Sequence, residues 1–267
     1  MAESVIAVDL GGTKVAVGVV SARGVVRKRI VEPVDREAAV DQIVRLVRDL
    51  DGEARAVGVA VPGLVRRDGT VWAPNLPGWE KIPLARLLKR KLKLPVSVES
   101  DRNAVVLGES WRGAARGKSD VIVLIVGTGI GAGILSGGRL VRGAHELSGC
   151  AGWMVVTDET NAMTRKSGSL EALAAGPAIS RHNDYARAGR LLGYAVANLI
   201  SLFDPEVVVL TGGVTNAADR FFDDLRWAAL ERAQPLAAAK VEIKVSTLQT
   251  DANLLGAARL ALERSEE

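Results

Sequence analysis

The sequence predicts an α/β protein that is built from two related halves. Three observations predict this class. Strand-like and helix-like runs alternate as β-β-β-α-β-α-β-α over the first part of the chain. The uninterrupted apolar run Ala56–Val61 is typical of a parallel strand that is buried on both faces. The order strand, glycine turn, strand, short turn, strand occurs at the N-terminus and again from Val121, which indicates an internal repeat.

The first half begins with a meander of three antiparallel strands, followed by helices and parallel strands. Alternating and continuous apolar runs predict the strands, and apolar residues at a spacing of three and four predict the helices. The strands are expected at Val5–Val8, Val15–Ser21, Val25–Val31, Ala56–Val61 and Pro95–Glu99, and the helices at 36–50, 82–93 and Asn103–Trp111.

The second half repeats this beginning and ends in helices. Strands are predicted at Val121–Val126, Ile134–Leu135, Leu140–Arg142, Glu206–Leu210 and 241–246. Helices are predicted at Glu171–Ser180, Gly189–Phe203, 217–234 and Ala252–Arg264.

The composition excludes several classes of protein. The 267 residues are 48% hydrophobic and 25% charged, as in an ordinary globular protein. The net charge is +4, but acids and bases alternate, which argues against a nucleic-acid surface. The single cysteine, Cys150, excludes an internal disulfide and a cysteine-based zinc cluster. The uncharged window Val121–Gly138 contains six glycines and favours strands over a membrane helix, and without a signal peptide we expect a cytoplasmic protein.

The turn after the first strand carries the residues of a phosphate site. Asp9 ends the strand, and Gly11, Gly12, Thr13 and Lys14 follow it. Glycines let backbone N–H groups approach a phosphate closely, and a buried aspartate requires a metal ion, a hydrogen-bond donor or water. The turn matches neither the P-loop nor the GxGxxG pattern. An ordinary hairpin with a Gly-Gly turn explains the same residues, so both interpretations stay open here.

Eight motifs in order make the chain similar to the ROK family of sugar kinases. They are DLGGTK at 9–14, VPG at 61–63, APNLPGW at 73–79, ESDRNAVVLGE at 99–109, GTGIGAGI at 127–134, LEALAAGPAI at 170–179, DPEVVVLTGG at 204–213 and GAARLAL at 256–262. The resemblance implies a duplicated actin-like, ribonuclease H-like ATPase fold with two lobes around a central cleft. It places residues 1–115 and 252–267 in the N-terminal lobe and residues 116–251 in the C-terminal lobe. It also implies a homodimer.

The resemblance implies ATP and Mg²⁺ as cofactors and assigns their sites. Phosphate contacts fall on both glycine turns (Gly11, Gly12, Thr13 and Lys14; Gly127, Thr128 and Gly129), and the adenosine lies against Gly212 and Gly213. Asp9 would hold Mg²⁺ through water, and Asp101 would be the general base. Phosphoryl transfer requires positioning and charge neutralisation, so a carboxylate of modest basicity suffices. The alternative for Asp101 is a helix N-cap, a common role of aspartate after a strand.

The sugar side departs from the family pattern. The resemblance implies sugar contacts from Gly63, Asn75, Ser100, Asp101, Glu171, Cys150, Trp153 and His145. Within the G-E-x-G-H segment of the family, however, Cys150 replaces the glutamate and Trp153 replaces the zinc-binding histidine, and Ser100 replaces an asparagine. No structural zinc is therefore expected. We expect Cys150 to be a small buried residue and Trp153 to fill the volume of the missing metal site, with His145 and Glu146 as replacement sugar contacts.

These residues predict an ATP- and Mg²⁺-dependent kinase that phosphorylates a hydroxyl of a sugar or a sugar-like polyol, with no nucleic-acid or membrane partner. A non-catalytic sensor of sugar or nucleotide is the alternative, because the sugar loop is altered. The DNA-binding repressors of the family are disfavoured, since the first strand begins at Val5. An actin-like activator of a CoA dehydratase would need cluster cysteines that one cysteine does not supply.

Overall fold

The structure is a computed structural model that describes residues 4–50 and 54–264. Its strands are β1 (Ser4–Leu10), β2 (Lys14–Ser21), β3 (Val26–Pro33), β4 (Ala54–Val61), β5 (Leu64–Val65), β6 (Val71–Trp72), β7 (Val96–Ser100), β8 (Val121–Val126), β9 (Ile130–Ser136), β10 (Arg139–Leu140), β11 (Val207–Thr211) and β12 (Glu242–Val245).

The helices follow the strands in the α/β order that the sequence predicts. They are α1 (Ala39–Asp49), α2 (Leu84–Leu92), α3 (Asp101–Arg112), α4 (Ala162–Ser167), α5 (Ser169–Ala174), α6 (Gly176–His182), α7 (Tyr185–Phe203), α8 (Phe222–Arg232), α9 (Pro235–Ala238) and α10 (Ala252–Arg264). Short 3₁₀ helices cover Ala151–Trp153, Gly213–Arg220 and Gln249–Asp251. None of the helices in the described part of the chain is long and apolar enough to cross a bilayer.

The chain divides into two compact units. The first comprises Met1–Gly113, Gly143–Leu147 and Thr250–Glu267, and the second comprises Ala114–Arg142 and Ser148–Gln249. In the division implied by the resemblance, segment 143–147 falls in the second lobe, whereas its contacts place it with the first unit.

The two units repeat one sheet topology. In the first unit the strand order is β3-β2-β1-β4-β7, and in the second it is β10-β9-β8-β11-β12. In each sheet, β1 or β8 pairs antiparallel with the strand of its hairpin and parallel with the strand of the next crossover. The meander and the internal repeat predicted from the sequence are therefore confirmed.

Apolar residues of the strands and helices form one core in each unit. The parallel strands β4, β8 and β11 are buried almost throughout, which is why they read as continuous Val, Ile, Leu and Ala runs. Helix α10 packs so closely on β4 and on α3 that backbone atoms come into contact. A Cβ added to Gly58 would lie 1.8 Å from the Ala257 carbonyl oxygen, and one added to Gly256 would lie 1.7 Å from that of Ala104. Only glycine permits these contacts, which hold the helix in place.

Several predicted elements differ in the structure. The predicted helix Glu171–Ser180 is broken at Ala175, because Pro177 lacks the N–H group that would continue the first helix. The predicted helix 217–234 begins as a 3₁₀ helix and restarts as α8 after Phe221, whose φ is −146°. The predicted strand Leu140–Arg142 is only the two-residue β10. Helix α4 was not predicted, although Asn161 and Thr164 form a capping box at its start.

Candidate active site

The first glycine turn connects β1 to β2 and closes on itself. The Gly11 N–H donates to the Lys14 carbonyl oxygen at 2.9 Å, as in the hairpin that the sequence allowed. Gly12 has open space where a Cβ would stand, and the side chains of Thr13 and Lys14 are exposed. The backbone of this turn is therefore open to a ligand that requires close approach, which fits the phosphates of a nucleotide.

Asp9 lies at the end of β1, where its negative charge is costly. Burial raises its pKa to about 6, and the negative charge of Asp101 contributes to the increase. Lys14, a hydrogen bond from the Asn253 amide, and Arg29 act in the opposite direction. A cation at this position would relieve the repulsion between the two carboxylates.

Asp101 is the first residue of α3 and follows β7 directly. Its carboxylate accepts a hydrogen bond from the Arg102 N–H at 2.8 Å, and burial raises its pKa. The N-cap of α3 is Ser100, whose side chain accepts from the Asn103 N–H at 3.4 Å. Ser100 and not Asp101 is therefore the N-cap of α3, although the Asp101 carboxylate still accepts the Arg102 N–H in the first turn of the helix.

A buried network supports the chain on both sides of Asp101. Oε1 of the buried Glu99 accepts from the Ser100 N–H and from the Asn103 side-chain amide, both at 2.9 Å. In the sheet register, Asp9 is level with Ala60 on β4, and Ala60 is level with Glu99 on β7. The carboxyl ends of these parallel strands thus bring Asp9 and Asp101 to one edge of the sheet, where open α/β sheets bind ligands.

The predicted sugar contacts of the first unit lie in turns. Gly63 has φ 96°, and a Cβ there would lie 2.2 Å from the Trp72 carbonyl oxygen, so only glycine fits. Asn75 and His145 are exposed. The Glu146 carboxylate accepts from the Arg67 guanidinium at 2.8 Å.

The second glycine turn connects β8 to β9 in the second unit. The Gly127 N–H donates to the Gly129 carbonyl oxygen at 2.9 Å, and the Gly127 carbonyl oxygen accepts from the Gly176 N–H at 2.8 Å. A Cβ added to Gly127 would meet nothing within 4 Å, and Thr128 and Gly129 are exposed. The turn is held by its neighbours and yet has an open backbone, as the first turn does.

Glu171 contacts this turn directly. Its Oε2 accepts from the Ile130 N–H at 2.8 Å, and a Cβ on Gly129 would lie 2.6 Å from the same oxygen. Gly152 also packs against Glu171, since a Cβ there would lie 2.9 Å from the Glu171 Cβ. One carboxylate therefore joins the turn to the altered sugar loop within the second unit.

Cys150 precedes the short 3₁₀ helix of that loop, and Trp153 is the last residue of this helix. Cys150 is half-buried, whereas Trp153 is 58% exposed. The expectation that Trp153 fills the volume of a missing metal site is wrong, because more than half of its surface faces solvent. Within residues 4–50 and 54–264, no group of three or more His, Cys, Asp or Glu side chains is arranged to hold a metal ion.

Gly212 and Gly213 follow β11. Gly212 has φ 98°, and a Cβ there would lie 2.4 Å from the Val126 carbonyl oxygen. Its carbonyl oxygen accepts from both the N–H and the Oγ1 of Thr215, at 3.0 and 2.7 Å. Gly213 has open space around it. Gly212 is thus required by the fold, whereas Gly213 is free to be contacted by a ligand.

The sequence pattern that defines the ROK family matches residues 5–185 and 182–264. The chain belongs to the ROK family. It is 33% identical to the glucokinase of Thermotoga maritima over 97% of both chains. The ROK hexokinase of Thermus thermophilus superposes with a TM-score of 0.86 at 32% identity and covers 99% of this chain and 100% of its own. The ROK family glucokinase of Streptomyces griseus, solved with glucose and AMPPNP, superposes with a TM-score of 0.82 at 27% identity, over 97% of this chain and 99% of its own.

These matches confirm two predictions for this ROK-family chain. The fold is the duplicated α/β fold of the actin-like ATPases, and the class of enzyme is a carbohydrate kinase. The structure gives the position of each site residue, and the role of each in binding or catalysis remains a prediction.

Sequence reasoning missed one polar residue of this ROK-family chain, Asn253, which lies in the first turn of α10 and acts to lower the pKa of Asp9. The only signal was a polar residue at the start of a mostly apolar helix, which ordinary solvent exposure explains equally well. The buried support from Glu99 and Asn103 was also missed, although both residues lie in the ESDRN motif.

Proposed function

We propose that this chain transfers the γ-phosphoryl group of ATP to a hydroxyl of a sugar or sugar-like polyol, with Asp101 as the general base. The observation that carries the proposal is the position of Asp101. Asp101 follows the carboxyl end of β7, Ser100 takes the N-cap position before it, and its negative charge contributes to the raised pKa of Asp9. A carboxylate placed in this way would accept the proton of the attacking hydroxyl.

The residues around Asp9 fit Mg²⁺ held through water. Carboxylate and amide oxygens are the ligands that this ion and its waters prefer, and the two aspartates together need a positive charge. When bound, the ion would neutralise charge on the transferred phosphoryl group. Asp9 would accept hydrogen bonds from the waters around the ion.

The three open glycines support a nucleotide as the phosphoryl donor. Gly12, Gly127 and Gly213 each have room for a ligand atom where a Cβ would stand. We propose that the first two lie at the phosphates and that Gly213 lies at the adenosine. Thr13 and Thr128 would add hydroxyl donors, and Lys14 would add a positive charge.

The sugar site of this chain is expected to lack one contact that typical relatives make with their substrates. Cys150 stands where the family has a glutamate, and a thiol is a weak hydrogen-bond acceptor. A lost acceptor for a buried hydroxyl lowers discrimination at that hydroxyl. We therefore propose Gly63, Asn75, Ser100, Glu171 and His145 as the polar contacts of the substrate, and a panel of sugars rather than glucose alone as the test.

The test is a coupled assay of ADP release over a panel of sugars and polyols. We expect Asp101→Asn to lower kcat by about 10²–10⁴-fold, because it removes the base and keeps the size of the side chain. Affinity for AMPPNP should stay within about twofold, since positioning of the nucleotide does not depend on the base. Asp223→Asn, an exposed position on α8, is the matched control and should leave kcat unchanged.

One observation favours the alternative function, a non-catalytic sensor. It is the altered sugar loop at Cys150 and Trp153. A sensor would show thermal stabilisation by a sugar or by AMPPNP, with no acceptor raising turnover above that of Asp101→Asn. That result would reject the kinase proposal. The homodimer and the cytoplasmic location stay predictions, and light scattering on the purified protein tests the first of them.

A further inference from the structure

Glu146 has an unusual backbone conformation for its residue type. Its φ is 59°, in the left-handed region that residues with a Cβ rarely adopt. Such a conformation costs stability and persists only where the surrounding contacts determine it, and residues of this kind are concentrated at functional sites. Glu146 belongs to segment 143–147, which also carries His145, a proposed contact of the sugar. Whatever holds Glu146 therefore also sets the position of His145.

The side chain of Glu146 fastens this segment within the first unit. The Arg67 Nε–H donates to the Glu146 carboxylate at 2.8 Å, and the Glu146 side chain is only 10% exposed. The other residues of segment 143–147 are exposed. Just outside the segment, the Ser148 N–H donates to the Arg142 carbonyl oxygen at 3.0 Å and closes a loop. Among the residues that the structure describes, Arg67 is the only hydrogen-bond partner of segment 143–147, so this ion pair is its polar anchor.

Arg67 is a suitable anchor because its own turn is held from several sides. It lies in the turn between β5 and β6, where the Arg66 N–H donates to the Thr70 carbonyl oxygen at 2.8 Å. The Asp68 carboxylate accepts from the Thr70 N–H at 2.9 Å and from the Thr70 hydroxyl at 2.6 Å. The Arg66 guanidinium donates to the Glu80 carbonyl oxygen at 3.2 Å. These bonds fix the backbone from which the Arg67 side chain extends.

The same hairpin lies between two other proposed sugar contacts. Gly63 directly precedes β5, and Asn75 follows β6 in a tight turn. Because Arg67 ties segment 143–147 to this hairpin, His145 belongs to the same part of the first unit as Gly63 and Asn75. An imidazole both donates and accepts hydrogen bonds, which suits a sugar hydroxyl, and that of His145 is exposed.

We propose that Arg67 and Glu146 are positioning residues for the sugar. Their ion pair holds segment 143–147 on the hairpin, and His145 at the centre of the segment then contacts a hydroxyl of the substrate. This contact would compensate for the acceptor that is lost at Cys150. The role rests on the proposed function, since it requires that a sugar or polyol binds at His145. It concerns the acceptor alone, so nucleotide affinity and the chemical step should not depend on the ion pair.

Steady-state kinetics of Arg67→Ala separates the two substrates. We expect KM for the sugar to rise about threefold to fivefold, as for an ion pair with one exposed partner, while kcat and KM for ATP stay within about twofold. Arg67→Lys keeps the positive charge but lacks the Nε–H donor, so it should recover only part of the loss. The matched control is Lys81→Ala, which removes an exposed cation 4.0 Å from Asp68 of the same turn and should leave all three constants unchanged.

A double-mutant cycle tests whether the two residues act as a pair. Glu146→Gln keeps the size of the side chain and an acceptor oxygen but removes the charge, so it should raise KM for the sugar as Arg67→Ala does. The double variant should be no worse than the more affected single variant, because the second change removes an interaction that is already lost. If the two single effects on KM multiply in the double variant, the residues act independently and the proposal is overturned.

Proteolysis measures the anchoring without any kinase activity. Endoproteinase Glu-C can cleave after Glu146 only when the Glu146 carboxylate leaves Arg67 and enters the protease. The rate of this cut therefore reports how often segment 143–147 detaches from the hairpin. We expect Arg67→Ala to be cut there about threefold faster than the wild type or more, and Lys81→Ala to be cut at the wild-type rate.

The outcomes distinguish the positioning role from the function on which it rests. If the wild type turns over no sugar or polyol, the proposed function fails whatever the rate of cleavage. If the wild type is active but KM of Arg67→Ala for the sugar stays within about twofold, the positioning role is overturned, even where cleavage is faster. An unchanged rate of cleavage, or an equal rise in KM for ATP, overturns it as well. A higher KM for the sugar alone, together with faster cleavage after Glu146, supports it.

Discussion

Burial raises the pKa of Asp9, and the negative charge of Asp101 raises it further. The two carboxylates belong to segments that are far apart in the chain and end at the same edge of the first sheet. Like charges held close together in a buried site cost stability, and natural proteins retain such pairs where function requires them. This relationship leads to the first prediction.

Replacing Asp9 with asparagine should stabilise the metal-free protein at neutral pH. The pKa of Asp9 is about 6 in the folded chain against an ordinary value of 3.8, which corresponds to about 3 kcal/mol. The folded state holds this proton more tightly, so the stabilisation from protonated Asp9 is complete below pH 3.8 and is lost as the pH rises through about 6. Asp9→Asn should therefore match the wild type near pH 4 and exceed it by up to about 3 kcal/mol above pH 7.

Urea unfolding in EDTA at several pH values measures this difference. Asp223→Asn, on the surface of the second unit, is the control and should show no comparable dependence on pH. A difference between Asp9→Asn and the wild type that stays constant from pH 4 to pH 8 would show that Asp9 is not strained by its charge.

Glu171 should matter for the stability of the second glycine turn. Its carboxylate accepts the Ile130 N–H at 2.8 Å, a hydrogen bond to a charged group worth about 1.5–3 kcal/mol. Glu171→Ala should lower the free energy of unfolding by about that amount and raise KM for ATP, because the turn loses its support. Glu171→Gln keeps an acceptor oxygen and should lose less than half as much stability. Glu231→Ala, exposed on α8, is the matched control, and equal losses in Glu171→Ala and Glu231→Ala would contradict the prediction.

Two glycines should respond differently to replacement by alanine, and the first, Gly256, should lose stability. In Gly256→Ala the new Cβ would lie 1.7 Å from the Ala104 carbonyl oxygen, so α3 and α10 must separate. The overpacking costs about 3 kcal/mol, and the better helix propensity of alanine offsets only about 1 kcal/mol of it. We expect a net loss of about 2 kcal/mol in chemical unfolding.

Gly213→Ala should leave the fold intact and weaken nucleotide binding. Gly213 has open space where the Cβ would stand, and its φ is not in the left-handed region, so the change in stability should stay within about 0.5 kcal/mol. The added methyl group would occupy the space proposed for the adenosine. Calorimetric titration with AMPPNP should show weaker binding than the wild type. If Gly213→Ala binds AMPPNP with wild-type affinity, the adenosine does not lie against this glycine.

Ser100→Ala should destabilise α3 and disturb the carboxylate next to it. Loss of an N-cap costs about 1 kcal/mol, and Asp101 is the first residue after this cap. Ser100→Asn, which restores a good capping residue, should recover both stability and kcat. Ser110→Ala, in the interior of the same helix, is the control and should be neutral or slightly stabilising, because alanine has the higher helix propensity. If kcat of Ser100→Ala equals that of the wild type, the N-cap does not contribute to positioning Asp101 for catalysis.

The elements that the sequence predicted well are those whose signal is local. The run Val121–Val126 and the helix Ala252–Arg264 coincide with β8 and α10, because continuous apolar runs and helical spacing are properties of neighbouring residues. The break at Ala175 was missed although its cause, Pro177, is visible in the sequence, whereas the non-helical φ of Phe221, at which α8 restarts, has no comparable local signal. The expected burial of Trp153 was wrong, because the space around a side chain depends on residues that are distant in the sequence.

The sequence by itself determined the duplicated α/β class, the two glycine turns, the family and the candidate base Asp101. The fold class and the turns follow from periodicity and from residue types at short spacing, and the family and the candidate base follow from the resemblance that the eight motifs carry. Only the tertiary structure decided that Ser100 caps α3 and that burial and the charge of Asp101 raise the pKa of Asp9. Burial and charge coupling arise between segments distant in the chain, so they exist only after the sheets and helices have packed.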